Sequence, residues 1–412
     1  MNLKRLNLKA IINKLYEKKY IFKKIKYDSS LTKDNGIITK YESIQKQIKI
    51  RNPGVDLGRI LAMLGIIIHH ILLHGHGFKK FRQHSDLAKL NTGVFWHVNT
   101  YIFISGYVGY KSTKYSNLLY LWLCTLFYSI GIAKYLSLYK PYIYKGKIKL
   151  IDYFPVLTMK YWYFTQYFGM YLFLPIINKG IENINQQQFK IMIITSLGVY
   201  IILKDCIIPK KDIFKMNGGY SVIWFLIFYS TGAYFGKFKK DKGLCKKIIY
   251  NIIYILIFYY STYLCFVFPH YPINNRNPKF KDRLIILLKN IFVTRISSFP
   301  MILQSITLML LITNINYNKY IVKIITFIGP LTFGIYLIHD NLVIKKKIMN
   351  NLLNNYSSNL PFHKVIEIIL ITSLKIFAKC AIIDYLRNII FRIFQIRRIC
   401  MIIENLIFQI LG

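Results

Sequence analysis

Runs of apolar residues long enough to cross a lipid bilayer recur along the 412-residue chain, separated by short basic breaks. The hydrocarbon core of a bilayer requires about 20 apolar residues of helix, and runs near that length dominate this sequence. With 54% hydrophobic residues, the chain is also too apolar for a soluble protein of its size. We therefore predict an all-α, polytopic membrane protein with about ten transmembrane helices in a single bundle.

The apolar runs divide the chain into three regions. We predict a basic N-terminal tail at 1–54, a transmembrane domain at 55–388 and a basic amphipathic C-terminal tail at 389–412. The predicted spans lie at 55–74, 93–110, 117–137, 158–178, 190–207, 219–236, 247–268, 286–313, a ninth that carries 333–340, and 365–386.

Lysines in the breaks indicate the orientation. The tail at 1–54 is rich in lysine, and more lysines follow the sixth span at 237–242. Because cytoplasmic segments are enriched in Lys and Arg, we predict a multi-pass cell-membrane protein with both termini in the cytoplasm. The loop 269–283 and the region of Lys210 should then lie outside. Two interpretations of the N-terminal tail stay open: it lies on the anionic leaflet, or it is solvated and disordered.

The net charge is strongly positive, with 57 Lys and Arg residues against 16 Asp and Glu, a formal charge of +41. Such a charge also suits nucleic acid, but here the basic residues are scattered through the loops between spans. We therefore expect anionic membrane lipids as partners and no nucleic acid. The six cysteines include no CxxC pair, so the sequence predicts neither a disulfide framework nor a metal site.

The first span, 55–74, carries ionisable residues that are unusual within a membrane. A charge at the centre of a span costs roughly 3 kcal/mol, so such residues usually face a protein interior. Helical geometry brings His70 within about 20° of Arg59, about 16 Å along the axis. Asp56 and His74 lie within about 60° of that stripe, and His69 points about 80° away. Two interpretations fit: the stripe lines a reaction cavity, or Arg59 sits at the interface and the histidines hydrogen-bond neighbouring helices.

Four motifs, in order, resemble the acyltransferase 3 family, the integral membrane O-acyltransferases of surface polysaccharides. They are Asp56-Leu57-Gly58-Arg59 running to His70, Phe103-Ile104-Ser105-Gly106-Tyr107, the aromatic segment 162–178 and Gly334 to His339. The resemblance spans roughly residues 53–390, which makes 55–388 an acyltransferase domain. It implies an O-acetyltransferase-like transferase of the cell envelope that passes an acyl group, expected to be acetyl, from acyl-CoA to a hydroxyl of a surface or lipid-linked polysaccharide. No bound cofactor is implied.

The resemblance carries Arg59 and His70 over as the catalytic pair, with Asp56 and His339 at the substrate. Many relatives carry paired arginines after the second span, thought to meet the donor's phosphates. Here only Lys111 and Lys114 are available, and lysine contacts phosphate as a point charge without the bidentate fork.

Two further elements of the resemblance leave alternatives open. Aromatic residues at the end of a span are typical of an interfacial belt, which is the alternative for Tyr161 and Trp162. Tyr163, Tyr167 and Tyr171 recur at helical spacing and form a polar-tipped stripe that could stack on a sugar. His339, beside Asp340, is either an oriented base or a helix-end histidine. Ser105 and Gly106 fit close helix packing better than chemistry.

The expected chemistry centres on His70. Burial in an apolar bundle disfavours the charged form of histidine, so the ring should be neutral. It then acts either as the general base for direct transfer or as a nucleophile that carries the acyl group. We expect the His70 face of the first span to line the cavity and the His69 face to pack or meet lipid.

One alternative from another functional class remains. The same polar cavity would suit a flippase or transporter of a lipid-linked sugar with no acyl-transfer activity. A transporter consumes no CoA thioester, which separates the two hypotheses.

Overall fold

The computed structural model of the chain describes residues 52–111, 113–142, 149–203, 207, 211–238, 244–270 and 280–411. Every regular element in these ranges is helical and none is a strand, so the all-α prediction is confirmed. Several predictions fall outside the described residues: nearly all of the N-terminal tail, the lysines at 239–242, the region of Lys210, and 271–279 of the predicted outer loop.

The longer helices, numbered in chain order, are α1 (Pro53–Leu73), α2 (Leu87–Val94), α3 (His97–Gly109), α4 (Tyr115–Tyr139), α5 (Trp162–Asn183), α6 (Gln186–Leu197), α7 (Val222–Lys237), α8 (Leu244–His270), α9 (Phe280–Ile291), α10 (Phe299–Asn314), α11 (Lys319–Ile328), α12 (Thr332–His339), α13 (Phe362–Ile393) and α14 (Ile396–Leu411). Shorter helical turns lie at Gly77–Lys80, Leu150–Tyr153, Gly198–Leu203, Asn217–Gly219, Gly329–Leu331, Ile344–Ile348 and Met349–Asn351.

Four segments among the described residues are long and apolar enough to cross a membrane: Pro53–Leu73, Tyr115–Tyr139, Cys245–Phe268 and Lys319–His339. The last of these runs through α11, a 3₁₀ turn and α12. The helix Phe299–Asn314 is apolar but shorter. Two further spans were predicted at 93–110 and 219–236, and the helices there, α3 and α7, have only 13 and 16 residues. The apolar helices thus support a membrane protein, and the count of about ten spans remains a prediction.

Local sequence signals fix both ends of α1. The Asn52 side chain accepts a hydrogen bond from the Gly54 N–H at 2.9 Å, and Pro53 occupies the first helical position. The same Asn52 side chain donates to the Thr313 carbonyl at 3.1 Å, which ties the start of α1 to the end of α10. At the other end the His74 N–H bonds to the His70 carbonyl, and the helix ends.

Glycines allow α3 and α7 to lie side by side in parallel. A Cβ on Gly106 would collide with the Tyr229 carbonyl of α7, and one on Gly232 would collide with the Phe103 carbonyl of α3. Only residues without a Cβ permit so close a backbone approach. Gly106 therefore has the packing role that the sequence favoured, and the Ser105 hydroxyl donates to the Tyr101 carbonyl within α3.

The helices have two ends, which we call the arginine end and the histidine end after Arg59 and His70 of α1. Lys237 lies at the arginine end, where α5 and α7 both finish. Its Nζ donates to the carbonyls of Ile181 and Ile184 at 2.6 and 2.8 Å. A cation at a helix C-terminus is favoured by the helix dipole, so this lysine, predicted as a topology marker, also caps α5.

The C-terminal region is helical throughout the described residues. The predicted boundary at 388 lies inside α13, which continues to Ile393, and the amphipathic tail forms α14. The Arg397 guanidinium lies 4.4 Å from the Tyr120 ring centroid of α4, and Cys400 is buried. Most apolar side chains on the opposite face of α14 are exposed, as on an interfacial helix.

Candidate active site

A cavity of about 290 Å³ opens at the histidine end between α1, α3, α5 and α12. We call it the histidine cavity. Its polar lining residues are His69, His70, His74, His97, Tyr101, Tyr163, Tyr220, Tyr336, Asp340 and Lys345. Apolar and aromatic side chains supply the rest of its wall, a composition typical of ligand pockets.

His70 lies at the centre of a group of histidine rings. The His70 ring centroid is 5.2 Å from that of His74, 5.3 Å from His339 and 5.7 Å from His69. His97 joins the group through His69, at 5.6 Å. These five residues form the histidine cluster. The side chain of His70 is 10% exposed, so it is buried yet open to the cavity.

A carboxylate and an ammonium group stand behind His70. Its Nδ1 lies 3.7 Å from Oδ1 of Asp340, too far for a hydrogen bond but close for two charges. The Lys345 Nζ holds the same oxygen at 2.7 Å. Asp340 is 1% exposed on its side chain, so Lys345 compensates a carboxylate that would be costly to bury alone. A positive charge formed on His70 would face this carboxylate.

His69 also lines the cavity, which differs from the expectation that it packs away from it or meets lipid. Its Nδ1 lies 2.8 Å from the Asn91 side-chain oxygen, and its ring stands edge-on to Phe95 at 5.0 Å. Helical phase gives the direction of each side chain from the axis. It does not give how far the cavity extends around α1, and here the cavity reaches both His69 and His70.

Arg59 does not line the histidine cavity. Its Nη1 lies 2.7 Å from Oδ1 of Asp56, a side chain with 0% exposure, while the Arg59 side chain is 26% exposed. The Tyr101 hydroxyl donates to the Arg59 carbonyl at 2.8 Å. Asp56 therefore holds Arg59 in place at the arginine end. The structure does not bring the catalytic pair predicted from the sequence into one pocket.

The predicted tyrosine stripe runs along α5 from the cavity toward the arginine end. Tyr163 lines the cavity, and its ring stacks on Tyr167 at 6.3 Å between centroids. Tyr167 follows Tyr171 at 5.9 Å, and the Tyr171 hydroxyl donates to the Lys114 carbonyl at 2.9 Å. Only Tyr163 of the three lines the histidine cavity. The side chains of Lys111 and Lys114 are exposed at the arginine end.

His339 is buried behind His70 and does not line the cavity. Its Nδ1 lies 2.7 Å from the Ile335 carbonyl, which only accepts, so Nδ1 carries the proton. Its Nε2 has no hydrogen-bond partner among the described residues. The adjacent Asp340 pairs with Lys345 and lies 3.7 Å from Nδ1 of His70, and neither ring nitrogen of His339 hydrogen-bonds to it.

Sequence reasoning missed Lys345 and the role of Asp340 toward His70. Lys345 follows Asp340 by five residues, but nothing in that spacing shows that both meet a helix 270 positions earlier. His97, at the start of α3, lines the cavity. Asn99, two residues later, bridges helices: it donates to the Ile296 carbonyl at 2.7 Å and accepts from the Trp224 indole at 3.1 Å.

The histidine cavity thus combines a buried histidine, a buried carboxylate–ammonium pair and an aromatic wall. Among the described residues, no three His, Cys, Asp or Glu side chains are grouped so that they could hold a metal ion. A family model described as an acyltransferase domain matches residues 52–382. Neither the curated proteins nor the solved structures include a significant match to the chain.

Proposed function

Because the chain belongs to the acyltransferase 3 family, we propose that this membrane acyltransferase carries an acyl group, most simply acetyl, from acyl-CoA to a hydroxyl of a cell-surface or lipid-linked polysaccharide. The observation that carries the proposal is the position of His70. It is buried on α1, open to a cavity and backed by the Asp340–Lys345 pair.

The donor is proposed to bind from the arginine end. Acyl-CoA carries phosphates, and Arg59 can hold a phosphate through charge-assisted hydrogen bonds while Asp56 fixes its guanidinium. The exposed ammonium groups of Lys111 and Lys114 add positive charge at the same end. This binding mode explains why Arg59 lies outside the histidine cavity. Arg59 binds the phosphates of the donor, and the thioester at the other end of the donor reaches His70.

The tyrosine stripe supports a path for the donor between the two ends. Tyr163 reaches the cavity and Tyr171 reaches the connector that carries Lys114. The pantetheine arm of CoA is long and largely uncharged, and it suits a passage walled by aromatic rings with polar tips. Tyr167 and Tyr171 are therefore proposed to contact the donor arm, with Tyr163 at the reacting groups.

His70 is proposed to act through Nε2 by one of two balanced routes. In direct transfer, Nε2 takes the acceptor hydroxyl proton as the oxygen attacks the thioester carbonyl; the carbon–sulfur bond breaks and the imidazolium returns the proton to the CoA thiolate. In the two-step route, Nε2 attacks the thioester, and CoA leaves as the thiol with the proton from the ring's other nitrogen. The acceptor hydroxyl oxygen then attacks the acyl group, the bond between the acyl carbon and Nε2 breaks, and the hydroxyl proton returns to the ring. In both routes Asp340 stabilises positive charge on the ring.

The test measures donor use and product together. Purified protein in lipid nanodiscs is supplied with acetyl-CoA and with surface polysaccharide from cells that lack the protein, and released CoA thiol is followed beside the polysaccharide mass. We expect CoA release with a matching gain of acetyl groups. A protein that binds the glycan but consumes no thioester would contradict acyl transfer and favour a transporter.

We propose the orientation with both termini in the cytoplasm, which places the arginine end inside and the histidine end outside. In a variant whose native cysteines are replaced by serine, a cysteine at Lys211 should react with an impermeant maleimide added to whole cells. A cysteine at Lys179, exposed at the arginine end, should react only after permeabilisation. The reverse pattern would invert the orientation.

A further inference from the structure

A second cavity, of about 470 Å³, adjoins the histidine cavity. The two share Phe95, Tyr220 and Ile296 as a common wall. We call the second cavity the polar chamber. Its polar and charged lining is Lys211, Asp212, Asn217, Thr294, Arg295 and Ser297. Neither the family resemblance nor the proposed chemistry assigns a role to these residues.

Internal hydrogen bonds hold the backbone around the polar chamber in shape. The carboxylate of Asp212 accepts hydrogen bonds from the N–H groups of Met216 and Asn217, at 2.8 and 2.6 Å. The Ser297 N–H donates to the Gly218 carbonyl at 3.2 Å, which joins the two loops that form the chamber. A preformed site loses less entropy on binding than one that must be ordered.

Left-handed backbone is concentrated in one of these loops. Asn217 has φ 47°, Gly218 has φ 63° and Gly219 has φ 104°. A non-glycine residue in this region is strained, and such strain persists where the surrounding structure enforces it, often at ligand sites. A Cβ at Gly219 would collide with Ile296, so the glycine also lets the loop lie against the shared wall.

The charge of the polar chamber favours an anion. Among the described residues that line it, Lys211 and Arg295 are the cations and Asp212 is the acid. Both carboxylate oxygens of Asp212 accept hydrogen bonds from backbone N–H groups of the loop, so this side chain has a structural role there. Arg295 donates through Nη2 to the Asn290 carbonyl at 3.3 Å, a contact that holds the guanidinium at the chamber. Guanidinium and ammonium groups recognise carboxylate and phosphate.

Aromatic rings complete the chamber. Tyr200 and Phe214 stand edge-to-face with centroids 4.5 Å apart, and Tyr220 contacts Trp162 at 4.5 Å. Tyr220 borders both cavities, so a ring seated against it lies next to the histidine cavity. Flat apolar surfaces beside a few oriented polar groups are the usual lining of a site for a small cyclic ligand.

We propose that the polar chamber binds a negatively charged sugar residue of the acceptor glycan and thereby presents a neighbouring hydroxyl to His70 across the shared wall. Lys211 and Arg295 would hold the sugar's carboxylate or phosphate, and Asn217, Thr294 and Ser297 its hydroxyls. This assignment rests on the proposed function, because it treats the histidine cavity as the place where the acceptor is acylated.

The test is calorimetric titration of the purified, nanodisc-embedded full chain with three soluble probes: trigalacturonate, maltotriose and glucose 6-phosphate. Trigalacturonate and glucose 6-phosphate carry the two sources of charge, and maltotriose carries none. At least one charged probe should bind about tenfold or more tighter than maltotriose, the change expected for one charge-assisted contact. The tighter of the two charged probes identifies a uronate or a phosphosugar, and either result supports the proposal.

Two lysine variants distinguish specific binding in the polar chamber from nonspecific electrostatic attraction to the protein surface. Lys211→Gln should weaken the charged probe about tenfold, whereas Lys215→Gln, a matched exposed lysine of the same loop that does not line the chamber, should change it less than about twofold. Arg295→Gln should also weaken binding of the charged probe. If the Arg295→Gln protein does not fold, the Lys211→Gln result alone tests the proposal. Equal binding of maltotriose, or equal loss in both lysine variants, would overturn the proposal.

Acetyl-CoA consumption, measured in the same preparations, tests acyl transfer separately from binding of a charged sugar in the polar chamber. Charged-probe binding without CoA release would uphold the polar chamber and contradict acyl transfer. CoA release with no preference for a charged probe would uphold acyl transfer and overturn the charged acceptor.

Discussion

Two clusters of buried polar side chains in this bundle differ in how their polar groups are paired. One is the histidine cluster around His70. The other, the ion-pair cluster, consists of Tyr120, Tyr128, Asp384 and Arg387, and it joins α4 to α13. The first faces a cavity, and the second is packed among side chains.

The ion-pair cluster satisfies nearly all of its polar groups internally. Oδ1 of Asp384 accepts from Nη2 of Arg387 at 2.6 Å and from the Tyr128 hydroxyl at 2.8 Å. The Arg387 Nη1 donates to the Tyr120 hydroxyl at 2.9 Å, and its guanidinium lies 5.0 Å from the Phe391 ring centroid. Oδ2 of Asp384 is the atom of this network that has no hydrogen-bond partner among the described residues. The network fixes α4 to α13.

The histidine cluster leaves polar atoms without partners. Among the described residues, Nδ1 of His70, Nε2 of His339 and both ring nitrogens of His97 are buried and make no hydrogen bond. Such groups cost stability, and when they border a cavity they are typical of a site that a ligand completes. The comparison separates a structural cluster, whose charged and polar groups pair mainly with one another, from a candidate active site, whose histidines face a cavity.

The largest expected effect is on stability, at the ion-pair cluster. Arg387→Ala removes the partner of a fully buried carboxylate, so the free energy of unfolding should fall by about 3–5 kcal/mol. Thermal unfolding of the purified protein measures it. Arg392→Ala, an exposed arginine of the same helix, is the control and should change little. An Arg387→Ala protein as stable as the parent would contradict a structural role for the ion-pair cluster.

Arg59 should matter for donor use. Arg59→Ala should lower kcat/KM for acetyl-CoA by about ten- to one-hundredfold, the value of a charge-assisted contact, and Arg59→Lys should lower it less because the charge remains. Initial rates at varied acetyl-CoA concentration measure both. Unchanged kinetics in Arg59→Ala would put the donor site elsewhere.

Asp340 should have a smaller effect, confined to turnover. Asp340→Asn keeps the side-chain shape but removes the negative charge 3.7 Å from Nδ1 of His70, so kcat should fall about tenfold while KM for acetyl-CoA is unchanged. A merely structural role would lower thermal stability and leave kcat per folded protein intact. That second outcome would remove Asp340 from the reaction.

Spacing within a helix predicted which side chains share a stripe, Arg59 and His70 on α1 and three tyrosines on α5, because a helix repeats its directions regularly. It did not predict where the cavity lies along each stripe: His70 and Tyr163 line it, and Arg59 does not. The Asp340–Lys345 pair behind His70 is a tertiary contact across most of the chain, and the polar chamber is formed by two loops that meet only in the fold. Spacing within one element cannot report either.

The span count shows a second limit of sequence reasoning. Hydropathy indicates apolar runs, but a helix within a bundle can be short or polar because its neighbours cover it. α3 has 13 residues and still packs closely against α7 through Gly106 and Gly232. Helix length and composition alone therefore identify four spanning candidates and leave the remainder of the predicted ten untested.

The central claim is that His70 is the catalytic centre, and acetyl transfer in membranes with matched amounts of protein tests it most directly. His70→Ala should reduce transfer about 10²-fold or more with unchanged insertion, since it removes the base or nucleophile. His69→Ala, which loses a hydrogen bond of roughly 1 kcal/mol to Asn91, should cost only a few-fold, and the exposed His363→Ala nothing. An active His70→Ala beside an inactive His69→Ala would contradict the account.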